Sequence, residues 1–324
     1  MNPVLSFIVP IYNVERFLPK CLHSIIDNDW NEITYEIIIV DDASPDRSVE
    51  IAKEFAEKHE NITVISQENK GLGGARNTGI TKAKGDYLFF LDSDDFLKPN
   101  EIQELIKIAT NNNLDLLEFG ADRVDQHYRF IDQVFKKENS LILDGLSYIA
   151  KYNFDNSACN KLYKRSFIVE NEIVFFENTY IEDAPFNAEA FSKAQRVQSV
   201  PNTPIIFYQN QNSITRKKRT GENLKKFVAD SIRVTNQINL IATVVDKPDA
   251  KMVFQKRVAL FTSGILLMII RSNLSKTEKK AFVKELKNND LYPISKFTDI
   301  LQRDLFISIF NIKFILQLSL KIFK

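Results

Sequence analysis

Three aspartates and a serine stand together as Asp92-Ser93-Asp94-Asp95, directly after the apolar run 87–91. Carboxylates this dense repel one another unless a cation or hydrogen-bond donors compensate their charge. A hard divalent ion such as Mg²⁺ binds through one or two carboxylates together with phosphate oxygens, so the cluster is suited to a metal and a diphosphate. Taken alone, such a cluster is more often a solvated turn that caps a helix.

A second acidic group follows the apolar run 35–40. An aspartate at the position of Asp41 can accept hydrogen bonds from a nucleoside base or a ribose. The alternative is a turn or an N-cap, but Ser44-Pro45-Asp46 fits that role better. We therefore expect Asp41 to be free for a ligand.

A glycine-rich turn with two cations, Lys70 and Arg76, occupies positions 69–77. It opens a helix, so its backbone N–H groups and Arg76 can approach a diphosphate. It is not the dinucleotide-binding fingerprint, because Arg76 stands in place of the third glycine and the turn follows the third strand. The alternative is that these residues only form the start of a helix and bind no ligand.

The pair Glu182-Asp183 precedes Ala184-Pro185 and a helical pattern. From these residues alone a helix cap is the stronger interpretation, since proline suits the first helical turn and aspartate its edge. The functional alternative is a general base for an acceptor hydroxyl, which requires a carboxylate within hydrogen-bond reach.

Short apolar runs alternate with amphipathic segments through the first hundred residues. The runs 5–10, 35–40, 62–66 and 87–91 predict strands, and the segments 16–26, 48–58, 74–83 and 100–111 predict helices. Strands that are apolar throughout predict an α/β fold with a mostly parallel sheet and helices on both faces. Ligands bind beyond the carboxyl ends of such strands, so we expect the polar groups above to converge in one crevice.

The alternation loosens after about residue 114. We predict further strands at 114–119, at 134–143 and within 196–208, and helices at 184–192, 222–245, 249–271 and 277–288. The apolar run 264–270 is too short to span a bilayer and predicts a buried helix.

Composition excludes several classes of protein. Hydrophobic residues make up 44% and charged residues 26%, which is typical of a soluble globular protein, and a net charge of +1 gives no reason to expect nucleic acid as a partner. Two cysteines do not form a disulfide framework and suit a reduced cytosol. No signal peptide is expected, because no basic segment precedes the first apolar run.

The tail at 305–323 is rich in Phe, Ile and Leu, and its charges are Lys313 and Lys321, with Lys324 just beyond it. A basic amphipathic segment of this kind can lie on an anionic membrane surface. The alternative is a helix packed on the core. We favour membrane contact, because no acidic residue balances the lysines.

The N-terminal part resembles the family-2 inverting glycosyltransferases of GT-A fold, the bacterial group that builds capsule, lipopolysaccharide and teichoic-acid glycans. Four motifs in family order carry the resemblance: FIVPIYN at 7–13, IIVDDAS at 38–44, NKGLGGARN at 69–77 and FLDSDD at 90–95. Asn160-Lys161-Leu162-Tyr163 and Glu182-Asp183 extend it to about residue 215. The resemblance implies a domain at 1–215, with a nucleotide-sugar-binding half at 1–110 and an acceptor half at 111–215, and a helical C-terminal region at 216–324.

The resemblance also implies a role for each candidate residue. The residues expected to bind the donor are Pro10, Tyr12 and Asp41 at the uracil and ribose, Arg76 towards the base or diphosphate, and Lys70, Asp92 and Ser93 beside them. Asp94 is expected to bind the metal, Mn²⁺ or Mg²⁺, and Asp183 to deprotonate the acceptor hydroxyl. A single displacement would then invert the anomeric centre through an oxocarbenium-like transition state.

One stretch departs from the family. Many relatives carry Arg or His shortly before a Ser-Ile-Thr segment, where this chain has Tyr208 and Asn210. We expect Arg216, Lys217 or Lys218 to compensate from a loop that closes over the donor.

The predicted protein is a metal-dependent transferase that moves a hexose or N-acetylhexosamine from a UDP-sugar to a glycan or lipid-linked glycan. It is expected in the cytoplasm, peripheral on the inner face of the cell membrane. One alternative is a transferase that uses polyprenyl phosphate itself as acceptor, which would need paired transmembrane helices or a chain that ends after the domain. Another is a non-catalytic nucleotide- or glycan-binding protein, which loss of Asp94 or Asp183 would indicate. A nucleotidyltransferase would need a glycine-rich loop after the first strand, where this chain has PIYN at 10–13.

Overall fold

The computed structural model describes residues 3–31, 33–134, 139–209, 219–295 and 297–322. Its strands are β1 (Leu5–Ile11), β2 (Tyr35–Asp41), β3 (Ile62–Ser66), β4 (Tyr87–Phe90), β5 (Phe96–Leu97), β6 (Leu116–Glu118), β7 (Ala121–Val124), β8 (Phe130–Val134), β9 (Asn139–Leu143), β10 (Lys161–Lys164), β11 (Val197–Ser199) and β12 (Ile205–Tyr208). Its helices are α1 (Leu18–Ile26), α2 (Ser48–Ala56), α3 (Gly71–Lys82), α4 (Ile102–Asn111), α5 (Gly145–Tyr152), α6 (Arg165–Glu170), α7 (Asp183–Lys193), α8 (Gly221–Val244), α9 (Pro248–Arg271), α10 (Lys276–Asn288), α11 (Leu301–Phe310) and α12 (Lys313–Ile322).

The central sheet has the strand order β3-β2-β1-β4-β10-β6-β11-β9. The first four strands are parallel, β10 runs antiparallel to both β4 and β6, and β11 runs parallel to β6. Only β10 and β9 oppose the common direction among the described strands of this sheet. The predicted α/β fold with a mostly parallel central sheet is therefore confirmed. Ile11 of β1 pairs with Asp41 of β2, which brings the carboxyl ends of these strands to one edge.

A smaller sheet, in the order β5-β12-β7-β8, was only partly predicted. Its shortest strand, β5, follows the acidic cluster directly, and Leu97 pairs with Ile205 of β12. The strands predicted at 134–143 are β8 and β9, which begin at 130 and 139, with residues 135–138 between them outside the described part of the chain. The small sheet joins the acidic cluster to the segment that ends at Tyr208.

Glycines let helix α3 lie unusually close to its neighbours. A Cβ at Gly79 would overlap the side chain of Ile8 in β1, and one at Gly73 would overlap the carbonyl oxygen of Phe176. Gly71 has φ +74°, a conformation that favours glycine, and the helix begins there rather than at the predicted Gly74. This close packing places Arg76 inside the protein.

Helices α8 and α9 pack along each other and against α7 and α5. Val234 and Phe254 belong to the main core, whereas Val228 and Leu266 belong to a second core that α10 and α12 complete. Helix α9 is the one helix among the described residues that is long and apolar enough to cross a membrane by length and composition. The same criteria are met by core helices of soluble proteins, and both cores contain residues of α9.

The predicted tail consists of two helices, α11 and α12, rather than one. Ile307, Leu316 and Leu320 are buried against the C-terminal helices. The opposite side exposes large apolar side chains, of which Leu301 is 84% and Phe314 71% exposed. The described tail therefore both packs on the protein and presents an apolar surface.

Candidate functional site

The crevice at the carboxyl ends of β1, β2 and β4 collects most of the predicted donor-binding residues. Pro10 is buried within β1, and Tyr12, just beyond its end, has a half-exposed ring. Lys70 is exposed at the entry of α3, and Ser93 is buried in the acidic cluster. The structure thus brings these residues to one edge of the sheet, as the strand-end argument predicts.

Asp41 and Asp42 organise the turns around this crevice. Asp41 Oδ1 accepts a hydrogen bond from the backbone N–H of Ser44 at 2.9 Å, so the expectation that Asp41 is free is wrong for this oxygen. An aspartate readily closes such a turn with its own side chain. Asp42 Oδ1 accepts from Gln67 Nε2 and from the Lys70 backbone N–H, both at 2.8 Å, which ties β2 to the glycine-rich turn.

Arg76 is the centre of the site, and its side chain is only 1% exposed. Its Nη2 donates to Asp92 Oδ1 at 2.7 Å, while its Nη1 donates to Asp183 Oδ1 at 2.5 Å and to Glu182 Oε1 at 3.1 Å. The guanidinium therefore links the end of β4 to the start of α7. In this arrangement it is turned towards three carboxylates and is not presented to a donor molecule.

The pKa values of Arg76 and of two of its carboxylate partners are shifted in this arrangement. Burial by itself would lower the pKa of Arg76, but the charges of Asp183 and Asp92 raise that pKa well above its ordinary value. Burial and the neighbouring charge of Asp183 raise the pKa of Glu182 to about 7, and burial raises that of Asp183. One cation faces three carboxylates, so this buried group carries an excess of negative charge.

The carboxylates of Asp94 and Asp95, in the second half of the acidic cluster, repel each other and have raised pKa values. Burial, followed by the charge of Asp92, raises the pKa of Asp94 to about 6, and burial with the charges of Asp94 and Asp92 raises that of Asp95. Asp95 Oδ1 accepts from the backbone N–H of Tyr208 at 2.8 Å. No other described residue donates a hydrogen bond to the Asp94 side chain.

The side chains of the acidic cluster at 92–95 are compatible with binding of a hard divalent ion. The aspartates offer carboxylate oxygens, which Mg²⁺ and Mn²⁺ prefer. The described residues contain no group of three or more His, Cys, Asp or Glu side chains arranged around a metal. Such an ion would therefore need oxygens from phosphate and water in addition to Asp94.

Asp183 is the first residue of α7 and its side chain is 22% exposed. Its Oδ1 binds Arg76 and its Oδ2 accepts from the backbone N–H of Ala158 at 2.9 Å. Helix geometry, Arg76 and Ala158 together fix the carboxylate. The cap interpretation is wrong for these side chains, because Glu182 at the N-cap position makes no capping hydrogen bond and both oxygens of Asp183 accept from residues outside α7.

A buried ion pair that sequence reasoning missed supports the segment carrying Ala158. Lys161 Nζ lies 3.2 Å from Glu118 Oε1, and both side chains are fully buried. Lys161 also donates to the carbonyl oxygens of Asp155 and Ser157, which holds the loop just before Ala158. Glu118 is the last residue of β6, so a search for polar residues at the carboxyl ends of strands could have identified it. Lys161 belongs to the motif at 160–163, but the sequence assigned it no role.

The cationic residues predicted to close over the donor lie outside the part of the chain that the structure describes. Asn210, Arg216, Lys217 and Lys218 fall in the segment 210–218, which the structure does not describe. Tyr208 stands at the end of β12, next to the acidic cluster through its backbone bond to Asp95. Its ring lies among those of Phe17 and Tyr128, at centroid distances of 5.5 and 5.2 Å.

Known proteins resemble this chain in sequence and in fold. The family described as Glycosyl transferase family 2 matches residues 6–170. An uncharacterized glycosyltransferase, EpsJ of Bacillus subtilis (strain 168), is 34% identical over 249 residues, which are 74% of this chain and 72% of EpsJ. In sequence, the Staphylococcus aureus (strain Mu50 / ATCC 700699) poly(ribitol-phosphate) beta-N-acetylglucosaminyltransferase TarS is 25% identical over 75% of this chain and 41% of its own length.

Solved structures confirm the fold. The structure of residues 1–349 of S. aureus TarS in complex with UDP superposes with a TM-score of 0.71 at 22% identity, covering 98% of this chain and 91% of that one. The mannosyltransferase PcManGT from Pyrobaculum calidifontis, in complex with GDP-Man and Mn²⁺, has a TM-score of 0.56 at 14% identity, covering 97% of this chain and 88% of that one. The predicted fold class, a GT-A fold with a helical C-terminal region, is therefore confirmed.

Proposed function

The chain belongs to glycosyl transferase family 2, and we propose that it transfers a sugar from a UDP-sugar to a hydroxyl of a glycan or lipid-linked glycan during synthesis of a bacterial surface polysaccharide. The observation that carries this proposal is the contact of Arg76 with both Asp92 and Asp183. That contact holds a carboxylate suited to proton transfer beside the acidic cluster suited to a diphosphate. The UDP complex of TarS and the polymer named as its substrate support the same classes of donor and acceptor.

The donor site in this proposal is the crevice at the ends of β1, β2 and β4. Tyr12, with its half-exposed ring, and Pro10 hold the uracil, and the second oxygen of Asp41 accepts from the base or ribose. Lys70 and Ser93 lie on the diphosphate side. The exposed ammonium of Lys70 supplies positive charge that the acidic cluster lacks.

Asp94 is the residue that would hold Mn²⁺ or Mg²⁺, together with oxygens of the donor diphosphate. A divalent ion there supplies positive charge to the leaving diphosphate. Asp92 is the second carboxylate of the pair, but Arg76 already binds its Oδ1, so it offers the other oxygen. The raised pKa of Asp94 and the Mn²⁺ in the Pyrobaculum mannosyltransferase support this assignment.

Asp183 is the proposed general base. The acceptor hydroxyl oxygen attacks the anomeric carbon, the bond between that carbon and the diphosphate oxygen breaks, and the hydroxyl proton passes to Asp183. Both carboxylate oxygens of Asp183 carry a hydrogen bond, which fixes the orientation of the carboxylate. A single displacement inverts the anomeric centre.

Arg76 takes a different place in this proposal from the donor contact that the resemblance implies. It is a positioning residue that orients Asp92 and Asp183, because its guanidinium nitrogens donate to carboxylates and not to the donor sugar nucleotide.

We also propose that the protein works in the cytoplasm at the inner face of the membrane. The apolar side of α11 and α12, together with Lys313, would meet anionic lipids there. The division into a domain at 1–215 and a helical region at 216–324 stays a prediction, since its boundary lies in the segment 210–218.

A donor screen that follows UDP release, with and without Mn²⁺, tests the proposal. We expect release from at least one UDP-hexose or UDP-N-acetylhexosamine, accelerated by a lipid-linked acceptor and abolished by EDTA. Asp94→Ala is the matched negative control. Failure to release UDP from any such donor, with or without acceptor, would overturn the proposed donor class.

A further inference from the structure

A cavity of about 350 Å³ lies between α8, α9 and α11, behind the turn that leads into the Glu182-Asp183 pair. Its walls are mainly apolar and include Phe227 of α8, Leu260 of α9 and Ile181. Cavities that bind small ligands have volumes of ~300–1,000 Å³. The space is therefore large enough for part of an apolar chain.

Arg303 of α11 brings a charge to this apolar cavity. Its Nη1 is buried and has no hydrogen-bond partner among the described residues. The nearby hydroxyls of Ser231 and Thr235 donate to carbonyl oxygens of their own helix. A buried cationic nitrogen without an acceptor is costly, which points to an anionic group that binds there.

Ile181 connects the cavity to the proposed base. Its φ is +65°, which is rare for a β-branched residue because of steric strain. Its carbonyl oxygen accepts from the backbone N–H of Ala184, so the turn that forms the cavity wall also begins α7. The cavity wall at Ile181 therefore stands two positions before Asp183 in the chain.

We propose that this cavity binds the apolar chain of a lipid-linked acceptor next to its phosphate, with the phosphate at Arg303. The inference rests on the proposed function, since a hydroxyl must be brought to Asp183. The acceptor joins an apolar chain to an anionic group, and the cavity joins apolar walls to the buried Nη1 of Arg303, which has no hydrogen-bond partner in the described part of the chain. The exposed apolar side of α11, which we propose to meet the membrane, lies on the same helix as Arg303.

The test measures binding by isothermal titration calorimetry with three probes below their aggregation limits: farnesyl phosphate, farnesol and inorganic phosphate. We expect farnesyl phosphate to bind, farnesol to bind at least about tenfold more weakly, and phosphate alone not to bind measurably. Arg303→Gln should reduce the affinity for farnesyl phosphate to that for farnesol. Arg271→Gln, at the exposed end of α9, is the matched control and should have no effect.

Gly264→Leu fills the cavity, and Gly264→Ala is its control. A Cβ at Gly264 meets no atom within 4 Å, so both variants should fold, which thermal unfolding checks. We expect Gly264→Leu to abolish binding of farnesyl phosphate and Gly264→Ala to leave it intact. Unchanged binding in Gly264→Leu, or no binding by the wild-type protein, would overturn the proposal.

Donor hydrolysis separates this inference from the proposed function. UDP release without acceptor should be the same in wild-type, Arg303→Gln and Gly264→Leu proteins. If UDP is released but farnesyl phosphate does not bind, the cavity proposal fails and the glycosyltransferase proposal stands. If farnesyl phosphate binds as expected but no UDP-sugar is hydrolysed, the donor proposal fails and the binding site stands.

Discussion

Arg76 and Asp183 are 107 positions apart in the chain, and Nη1 of the arginine donates to Oδ1 of the aspartate at 2.5 Å. The arginine comes from a glycine-rich helix packed on β1, and the aspartate begins α7. The same guanidinium binds Asp92. Two halves of the predicted domain are therefore joined at the point where we propose that proton transfer and diphosphate departure occur.

Replacing Arg76 by lysine should impair catalysis more than folding. One ammonium keeps the charge but cannot span Asp92 on one side and Asp183 on the other. We expect kcat to fall at least about tenfold, with donor KM changed much less. Arg76→Gln should in addition destabilise the protein by about 3–5 kcal/mol, because it leaves buried carboxylates without their cation.

Steady-state kinetics and urea unfolding check both variants of Arg76. Arg123→Lys is the control, since Arg123 pairs with Asp132 on the surface and lies outside the site. A kcat for Arg76→Lys equal to that of the wild type would contradict the positioning role.

Asp183→Asn should retain UDP affinity and lose transfer. The amide oxygen can still accept one of the two hydrogen bonds, from the Ala158 N–H or from Arg76, but the amide cannot take a proton. A general base typically contributes about 10²–10⁴-fold to a rate, so we expect a loss in that range. Calorimetry with UDP and a transfer assay measure the two properties, and Glu189→Gln on the same helix is the control. Weaker UDP binding with transfer intact would count against the base assignment.

How much of this could be read from the sequence depends on whether a contact is local. The first four strands and their helices were predicted within a few residues, because alternating apolar runs and amphipathic segments encode them directly. The bonds of Arg76 to Glu182 and Asp183 were not predicted, since sequence spacing says nothing about which side chain crosses 106 or 107 positions to another. The glycines at 69–77 were predicted to form a turn whose backbone approaches a diphosphate, and Gly79 was predicted only as part of the following helix. In the structure Gly73 and Gly79 are sites of close helix packing.

Removing the metal ligand should separate donor binding from fold. We expect Asp94→Ala to lose Mn²⁺-dependent binding of the UDP-sugar by at least about tenfold, because Asp92, whose Oδ1 is bound to Arg76, then offers a single carboxylate oxygen. The fold should not suffer, since the Asp94 side chain receives no hydrogen bond from another described residue. Calorimetric titrations with and without EDTA measure this, and Asp125→Asn provides a surface control. Equal Mn²⁺ stimulation in the Asp94 variant would refute the assignment.

Lys161 and Glu118 should behave as a coupled pair. Lys161→Met leaves the buried Glu118 carboxylate without its cation, which typically costs about 3–5 kcal/mol of the free energy of unfolding. The double variant Lys161→Met/Glu118→Gln should recover part of this loss, because the buried group that faced Lys161 is then neutral. Urea unfolding of the four proteins forms a double-mutant cycle, in which a coupling energy near zero would show that the ion pair has no such role. Transfer should stay impaired in the double variant, since the loop before Ala158 has lost the Lys161 bonds.

Glu182 should make the stability of the protein depend on pH near neutrality. Its pKa in the folded protein is raised to about 7 by burial and by the charge of Asp183, whereas in the unfolded chain it is close to the ordinary value of 4.5. The unfolded state therefore releases the proton first, and this group contributes less stability as the pH rises from about 4.5 to about 7. Glu182→Gln removes the titration. The stability of this variant minus that of the wild type should increase over that interval and level off above it. Urea unfolding at pH 5, 6, 7 and 8 measures the difference. A difference that decreased towards pH 7 would show that Arg76 governs the ionisation of Glu182 more strongly than burial does.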